Sequence, residues 1–472
     1  MIADLKPYPE MKNSGVPWLG EVPEHWEVLP NRAVFTEIKE RDHPGADMLS
    51  VTITKGVIRQ LALLEGSSKK DSSNQDKSAY KLVRPGDIAY NKMRAWQGAV
   101  GVSGDKGIVS PAYVVQRPRE DADPRYLHYL LRTPGFAKEA ERWSYGITSD
   151  MWSLRPEHFK MIYSCLPPLP EQAAIVRFLD HADRRIRRYI GAKQKLIKLL
   201  EEQKQAIIHR AVTRGLDPDV RLKPSGVEWM GEVPEHWEVR RAKHLFREVD
   251  HRSTTGIEVL LSLRMHKGLV PHNEVSTLPI TAQALVGFKK VGPGQIVMNR
   301  MRAAIGMFGI ANRSGLVSPD YAVLEKITTV DVTYFLRLFK TPAAGTVFRV
   351  ESKGLGTGSS GFMRLYTDRF GMIKLPVPPQ EEQRRIVQGI AESTQAIERT
   401  EERVNREIAL LREYRTRLIA DVVTGKLDVR EAAARLPDEA DAPEPLDEAD
   451  ADTDAKDATA DDLDATPEET EG

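Results

Sequence analysis

The 472-residue sequence contains a single cysteine, Cys165, so disulfides within the chain and cysteine-rich zinc sites are excluded. Cys165 lies in an apolar run at residues 162–166, just before two prolines, which predicts an inert thiol packed in a strand. No apolar run approaches the ~20 residues that a membrane-spanning helix needs. The N-terminus also lacks the apolar core of a signal peptide. We therefore expect a cytoplasmic protein with no membrane partner.

The net charge of zero hides a strong asymmetry. Residues 437–472 hold 16 Asp and Glu against one Lys, whereas the rest of the chain holds 67 Lys and Arg against 52 Asp and Glu. A body with this positive excess predicts a polyanionic partner. The acidic segment has almost no large apolar residues, which predicts a disordered tail. Such a tail either improves solubility or mimics DNA and competes for the basic surface.

The chain is an internal duplication. Residues 14–28 recur at 225–239 with 13 of 15 positions identical, and residues 86–115 share 14 of 30 positions with 294–323. Residues 167–172 match 378–383 in the same order. The offset changes between blocks, which places insertions and deletions in loops. Two copies of one scaffold with different inserts predict two similar binding modules with different specificities.

Each half follows the same plan of a mixed domain and then a long helix. Short apolar runs at 88–90 and 113–115 are predicted as strands, and residues 126–131 and 334–339 as helices. The first long helix is predicted from about Pro170 to Gly215 and the second from about Glu381 to Gly425.

Apolar residues recur every seven positions along both long helices, which predicts coiled-coil pairing. These positions are Leu179, Ile186, Leu200 and Ile207 in the first helix, and Ile390, Ile397, Val404, Leu411 and Leu418 in the second. An antiparallel pair within one chain would return the chain to its first domain. Pairing between two chains, as a simple dimerisation coiled coil, is the alternative.

The predicted fold class is therefore α+β. It comprises two similar mixed α/β domains, at 10–165 and 225–376, separated by two long helices at 166–216 and 377–430 that form an antiparallel coiled coil. Internal duplication would relate the halves by a pseudo-twofold axis, and the acidic tail at 437–472 would be disordered.

Basic and polar side chains near the repeated motifs are candidates for DNA contacts, because Arg, Lys and Asn pair with base edges or phosphates. The candidates are Lys55, Asn91, Lys92, Arg94, Trp96, Gln97, Lys267, Asn299, Arg300, Arg302, Lys353, Ser359 and Ser360. The Asn-Lys/Arg-Met-Arg motif occurs once per half, so it could equally be the end of a scaffold strand. Trp96 and Gln97 differ from their counterparts, through either specificity or drift. The Gly/Ser-rich segment at 352–361 is either a loop at the DNA or a connector.

Other residue types in the repeats favour structure over chemistry. Trp18, Trp26, Trp229 and Trp237 are predicted as buried anchors, because their motif is nearly identical in both copies. His25 and His236 have no neighbouring Cys and no HExxH pattern, so a metal site is not expected.

The repeated motifs resemble those of type I restriction-modification specificity subunits. The resemblance rests on Gly-Val-Pro-Trp-Leu-Gly-Glu-Val-Pro-Glu-His-Trp at residues 15–26, on Pro-Pro-Leu-Pro-Glu-Gln at 167–172, and on their ordered repetition. It covers residues ~10–430. It implies two target-recognition domains that read a split double-stranded DNA sequence, with spacer helices that set the gap and dock methyltransferase subunits. The acidic tail is not part of this pattern.

The resemblance also implies that this chain performs no catalysis and holds no cofactor. S-adenosylmethionine, ATP and Mg would bind the methyltransferase and the restriction-translocase partners, which methylate adenine or cut DNA. An adenine methyltransferase needs an Asn/Asp-Pro-Pro-aromatic motif, and neither Pro167-Pro168 nor Pro378-Pro379 has those neighbours. The Walker A motif of a motor is also missing. A coiled-coil scaffold would explain the helices but not the duplicated basic domains.

Overall fold

The computed structural model of the chain describes residues 5–61, 77–146, 152–276, 280–355 and 362–437. The predicted acidic tail after Pro437 lies outside these residues, as do Ser359 and Ser360. The described residues divide into two compact units, one made of residues 5–192 with 406–437 and the other of residues 193–405. Both long helices therefore contribute residues to both units.

The first unit is built on a four-stranded antiparallel sheet. Its strand order is Phe35–Ile38, Tyr113–Pro118, Ile88–Asn91 and Val100–Val102, with Tyr113 opposite Asn91. Two-stranded pairs surround it: Met11–Asn13 with Glu21–Pro23, Glu27–Pro30 with Tyr163–Leu166, Leu49–Thr52 with Gly56–Arg59, and Lys81–Val83 with Gly107–Val109. Its short helices are Asn31–Val34, Ala95–Gln97, Pro124–Leu131, Pro134–Arg142, Pro156–Phe159 and Arg430–Ala434.

The second unit repeats this sheet. The strand order is Phe246–Val249, Tyr321–Lys326, Ile296–Asn299 and Phe308–Ile310, with Tyr321 opposite Asn299. The two-stranded pairs are Leu222–Pro224 with Glu232–Pro234, Glu238–Arg241 with Lys374–Val377, Leu261–Arg264 with Gly268–Pro271, Lys289–Val291 with Gly315–Val317, and Lys353–Leu355 with Phe362–Arg364. Its short helices are Ala242–His244, His272–Glu274, Ala282–Leu285, Ala303–Ile305, Val332–Phe339, Pro342–Glu351 and Thr367–Met372. The predicted strands at 88–90 and 113–115 and the predicted short helices are confirmed.

The long helices run Leu169–Arg214 and Gln380–Val423, within two residues of their predicted limits. Each is followed by a glycine with positive φ, 78° at Gly215 and 74° at Gly425, a conformation that glycine adopts without strain.

In the first unit, the start of the first long helix packs beside the end of the second. Leu179 and Ile186 share a hydrophobic core with Leu418, and Arg415 forms an ion pair with Asp183. Arg177, one and a half turns earlier, donates a 2.8 Å hydrogen bond to a carbonyl beyond the second helix, that of Leu436. These contacts show that the two segments run antiparallel.

In the second unit, the end of the first long helix lies beside the start of the second. Lys204 Nζ is 3.3 Å from Glu398 and 3.6 Å from Glu401. Leu216, just past the first helix, packs closely on Gly389 of the second. A Cβ atom added to Gly389 would lie only 2.7 Å from Leu216 Cδ1. This pair is antiparallel as well.

The seven-residue positions are unevenly buried. Leu179, Ile186, Ile390, Ile397, Val404 and Leu418 are buried, whereas Leu200, Ile207 and Leu411 are partly exposed. Burial therefore does not follow position along the helices: Val404, near the middle of the second helix, is buried, whereas Ile207, near the end of the first, is partly exposed. The coiled coil as a spacer stays a prediction.

The predicted tryptophan anchors are buried or half-buried on the unit cores. Trp26 and Trp237 are fully buried, while Trp18 and Trp229 pack half-buried against the same cores. Cys165 is also fully buried in its strand, and burial raises the pKa of its thiol to about 12. The prediction of a thiol packed in a strand is therefore confirmed, and its inertness stays a prediction.

Within the part of the chain that the structure describes, no helix is both long and apolar enough to cross a membrane.

Candidate nucleic-acid interface

The Asn-Lys/Arg-Met-Arg motif forms a turn at the same sheet edge in both units, and we call residues 91–94 and 299–302 the basic turns. Each turn follows a strand of the four-stranded sheet and precedes a short 3₁₀ helix. The carbonyl of its second residue accepts a 2.9 Å hydrogen bond from Leu154 N in the first unit and from Leu365 N in the second. The two turns are therefore held by the same backbone contacts.

The asparagine of each basic turn shapes the turn itself. Asn91 Oδ1 accepts a 3.0 Å hydrogen bond from Met93 N, and Asn299 Oδ1 accepts from Met301 N at 3.0 Å and Arg302 N at 3.2 Å. These bonds occupy the oxygen with which asparagine accepts from adenine N6. Asn91 and Asn299 therefore contribute to the shape of the turn.

In the first unit, the neighbours of the basic turn are aromatic and polar. Trp96 Nε1 donates to Met93 O at 3.0 Å, and the ring meets Trp152 edge to face at 5.6 Å. Arg94, which is exposed, donates to Gln97 Oε1 at 3.1 Å. Trp96 is thus held by its own turn and by Trp152, while Gln97 orients the Arg94 guanidinium.

A buried lysine, Lys81, bonds to the segment that pairs with the first residue of the first basic turn. Lys81 Nζ donates to Tyr113 O at 2.5 Å and Pro111 O at 3.2 Å. Burial, and then the positive charge of Lys92, lower the pKa of Lys81. Nearby, burial opposes ionisation of Glu37, but Lys160 at 3.0 Å outweighs it and keeps the pKa of the carboxyl below its usual value. The positive charges of Lys81 and Lys92 therefore lie close together near this turn, and the Glu37 carboxylate beside them is paired with Lys160.

In the second unit, a carboxylate neutralises the basic turn. Arg300 Nη2 is 2.5 Å from Glu248 Oε1, Lys289 Nζ is 2.8 Å from the same atom, and Thr367 donates to the other oxygen. Burial of Glu248 opposes its ionisation, but the bond to Lys289 and the other partners outweigh it and lower its pKa. The Arg300 side chain is only 14% exposed. Of the two equivalent cations, Lys92 is thus the better placed to meet a phosphate.

Two residues that the sequence reasoning missed lie at the second basic turn. Arg364 Nη2 is 2.6 Å from Asp320 Oδ1, and Asp320 O accepts from Arg300 Nη1 at 3.5 Å. Lys353 lies opposite Arg364 on the neighbouring strand. Arg364 also sits over the Tyr366 ring at 5.6 Å. Asp320 had a sequence signal, since it replaces Ala112 inside a repeated motif, whereas Arg364 had none.

Lys55 and Lys267 lie at the tips of equivalent hairpins and are exposed. A cationic side chain at the end of helix Pro124–Leu131 or Val332–Phe339 hydrogen-bonds to the backbone of each tip. Arg132 donates to Ile53 O and Thr54 O at 2.7 Å, and Lys340 donates to Met265 O at 3.0 Å. Burial lowers the pKa of Arg132 to about 10, which still leaves it charged at neutral pH. The hairpin tips are therefore fixed in position.

The repeated opening motif meets the first residues of each long helix. Glu171 accepts hydrogen bonds from Tyr8 OH at 2.6 Å and Trp26 Nε1 at 2.9 Å, and lies 2.8 Å from His25 Nε2. In the second unit His236 Nε2 lies 2.8 Å from Glu382. Among the described residues no cluster of His, Cys, Asp and Glu is suited to hold a metal ion. His25 and His236 instead tie the opening motif to the helix.

The glutamine after each of these glutamates joins the long helix to the mixed domain. Gln172 Nε2 donates to Pro167 O at 2.7 Å, and its Oε1 accepts from Asp123 N at 2.7 Å. Gln383 makes the same two bonds, to Pro378 O at 2.8 Å and from Asp331 N at 2.7 Å. The Glu-Gln pair that the resemblance assigned to the shared framework is therefore a structural joint.

Together, these observations define a duplicated protein in which each half carries the same sheet and basic turn in different surroundings. The chain is 24% identical over 456 residues to a protein named as the specificity subunit of the type I restriction enzyme MjaX of Methanocaldococcus jannaschii, an alignment that covers 87% of this chain and 96% of the relative. It is also 29% identical over 143 residues to the MjaVIII specificity subunit of the same organism, across 30% of this chain and 31% of the relative.

A solved structure from a study of complex assembly in a type I restriction-modification system shares the fold. The TM-score is 0.58 at 18% sequence identity, and the match covers 86% of this chain and 99% of that one. No family model matches the chain. The resemblance that the motifs indicate is confirmed: this chain is a relative of type I restriction enzyme specificity subunits. These relatives agree with the prediction that the chain is not itself an enzyme.

Proposed function

We propose that this chain recognises a two-part DNA sequence, with one part read by each unit, for a type I restriction-modification complex. The observation that carries the proposal is the repeated basic turn, held by the same backbone bonds in both units but surrounded by different side chains. A common support with variable neighbours is what two readers of different sequences require.

The relatives supply the second support for the proposal. They are named as specificity subunits, and one of them is similar to this chain along almost its whole length. We infer that methyltransferase and restriction-translocase subunits dock on the chain. Those partners would hold S-adenosylmethionine, ATP and Mg, and the complex would act in the cytoplasm on double-stranded DNA.

Sequencing of methylated bases tests the proposal. Cells that carry this chain with its methyltransferase subunits should methylate adenine within one two-part sequence, and cells with the methyltransferase alone should not. Exchanging residues 86–115 for the matched residues 294–323 should alter one part of that sequence, because only the first unit changes.

The reciprocal exchange, of residues 294–323 for 86–115, is the matched control and should alter the other part only. If either exchange altered both parts, the assignment of one part to each unit would be wrong. If the wild-type chain produced no methylated sequence, the proposed function would fail as a whole.

A further inference from the structure

The two basic turns share the same backbone hydrogen bond but differ in the side chains that lie beside them. The second unit has Asp320 and Arg364 where the first has Ala112 and Ser153. The equivalence is structural as well as sequential, because the residue after each of Ser153 and Arg364 donates to the carbonyl of its basic turn at 2.9 Å. Of these two equivalent sites, only the one in the second unit therefore carries a carboxylate and a guanidinium.

The two added groups form one unit at the surface. Arg364 Nη2 lies 2.6 Å from Asp320 Oδ1, with the aspartate side chain 52% exposed and the arginine 19% exposed. The Tyr366 ring supports Arg364 from one side. Asp320 immediately precedes the strand that begins at Tyr321, and Ser318 Oγ accepts from its backbone N–H at 3.3 Å. The carboxylate is thus held in place and is accessible, with the guanidinium beside it.

A carboxylate is an unusual group beside a surface that meets phosphates, because like charges repel. At a DNA interface it is favoured where it can accept a hydrogen bond from a base amino group, and cytosine N4 is its usual partner in the major groove. Arginine pairs with guanine O6 and N7, which belong to the same base pair. An adjacent aspartate and arginine therefore match the two edges of one cytosine–guanine pair.

We propose that Asp320 and Arg364 read a cytosine–guanine base pair in the part of the target that the second unit binds. Asp320 accepts from cytosine N4, and Arg364 donates to guanine O6 and N7. The inference rests on the proposed function and adds to it the residues that make the second unit differ from the first.

The test uses the full chain in complex with its methyltransferase subunits and a library of randomised DNA duplexes. Bound sequences are compared for the wild type, Asp320→Asn, Asp320→Ala and Arg364→Lys. Both Asp320 variants should lose the preference for cytosine–guanine at one position of the second part, on the order of ten-fold. Arg364→Lys should weaken the same position, because lysine lacks the planar fork.

Glu325→Gln is the matched control. Glu325 is an exposed carboxylate at the far end of the same strand, 38% exposed and 2.8 Å from Arg247, so its loss should leave the selected sequence unchanged. Thermal unfolding of each variant checks the fold, and Asp320→Asn keeps the side-chain shape if the alanine variant is unstable.

Three outcomes distinguish a failure of this inference from a failure of the proposed function. Loss of preference at one position of the second part, with Glu325→Gln unchanged, supports the inference. An unchanged selected sequence in all Asp320 and Arg364 variants, or a change in the first part, overturns it and leaves the proposed function standing. A wild-type chain that selects no sequence overturns both.

Discussion

Glu171 and Glu382 occupy the same repeated position but have different surroundings. Glu171 is 7% exposed and bonds to Tyr8 and Trp26 as well as to His25, whereas Glu382 is 18% exposed and bonds to His236. Burial and the contact with Glu171 raise the pKa of the Tyr8 phenol, which therefore stays a donor at neutral pH. Removal of the first carboxylate would leave two buried donors without an acceptor.

We expect Glu171→Ala to lower the free energy of unfolding by about 2–6 kcal/mol, since each of the two buried donors left unpaired costs about 1–3 kcal/mol. Glu382→Ala is the matched control and should cost less than about 1 kcal/mol, because its ion pair with His236 is partly exposed. Urea unfolding of the full chain, followed by tryptophan fluorescence, measures both. Equal losses in the two variants would show that the Tyr8 and Trp26 bonds contribute nothing.

Sequence reasoning located the basic turns but not the use of each side chain in them. Asparagine closes a turn with the same oxygen that pairs with adenine, so the sequence could not tell which role Asn91 and Asn299 play. The contact of Arg300 with Glu248 joins residues 52 positions apart, and no local pattern predicts it. Asp320 could have been recognised from the sequence as a candidate site residue, because it replaces Ala112 in a stretch where the two repeats align without gaps.

At the scale of secondary-structure elements, each long helix begins on one mixed domain and ends on the other. Tyr126 OH donates to Val423 O at 2.9 Å in the first unit, and Tyr334 OH donates to Val212 O at 2.8 Å in the second. Both tyrosines are fully buried, so each helix end is fixed to a domain core. Each domain core therefore holds the end of the long helix that began on the other domain.

Inserting seven residues into both long helices, after Ala192 and after Asn405, should lengthen the gap between the two DNA parts. Seven residues preserve the seven-residue repeat and add about 10 Å of helix, or roughly 3 base pairs of DNA. Methylated-base sequencing of the variant measures the gap. An unchanged gap would contradict the role of the helices as a spacer, and insertion into one helix only, which disrupts the pairing, serves as the control.

The helices were the best-predicted elements of the chain. Proline at the start, glycine with positive φ at the end and the seven-residue apolar period are local signals, so the limits were correct within two residues. The unequal burial along the seam was not foreseen. The heptad pattern predicts equal burial for Leu200 and Val404, but Leu200 is partly exposed and Val404 is buried. Burial also depends on which side chains of the partner helix lie opposite each position.

At the scale of the whole molecule, comparison of the two halves distinguishes the framework that is repeated from the side chains that differ. The opening motif, the Glu-Gln joint and the four-stranded sheet recur in both units, and each is bonded mainly to its own framework. The side chains beside the basic turns diverge, from Trp96 and Trp152 in one unit to Asp320 and Arg364 in the other. We therefore expect the repeated positions to hold the fold and, under the proposed function, the divergent positions to set specificity.

The charge of the whole molecule leads to a last prediction. Residues 1–436 hold 67 Lys and Arg against 52 Asp and Glu, and we expect DNA affinity to fall steeply with salt, because bound cations release counterions from phosphates. A contact with about 6–10 phosphates would lose about 10³-fold or more in affinity between about 50 and 200 mM salt. Fluorescence anisotropy with a duplex that contains the methylated sequence, and with a scrambled duplex as control, measures the slope. Similar slopes for both duplexes would assign the salt dependence to backbone contacts. An affinity for the specific duplex that stayed flat would mean that the positive excess lies away from the DNA.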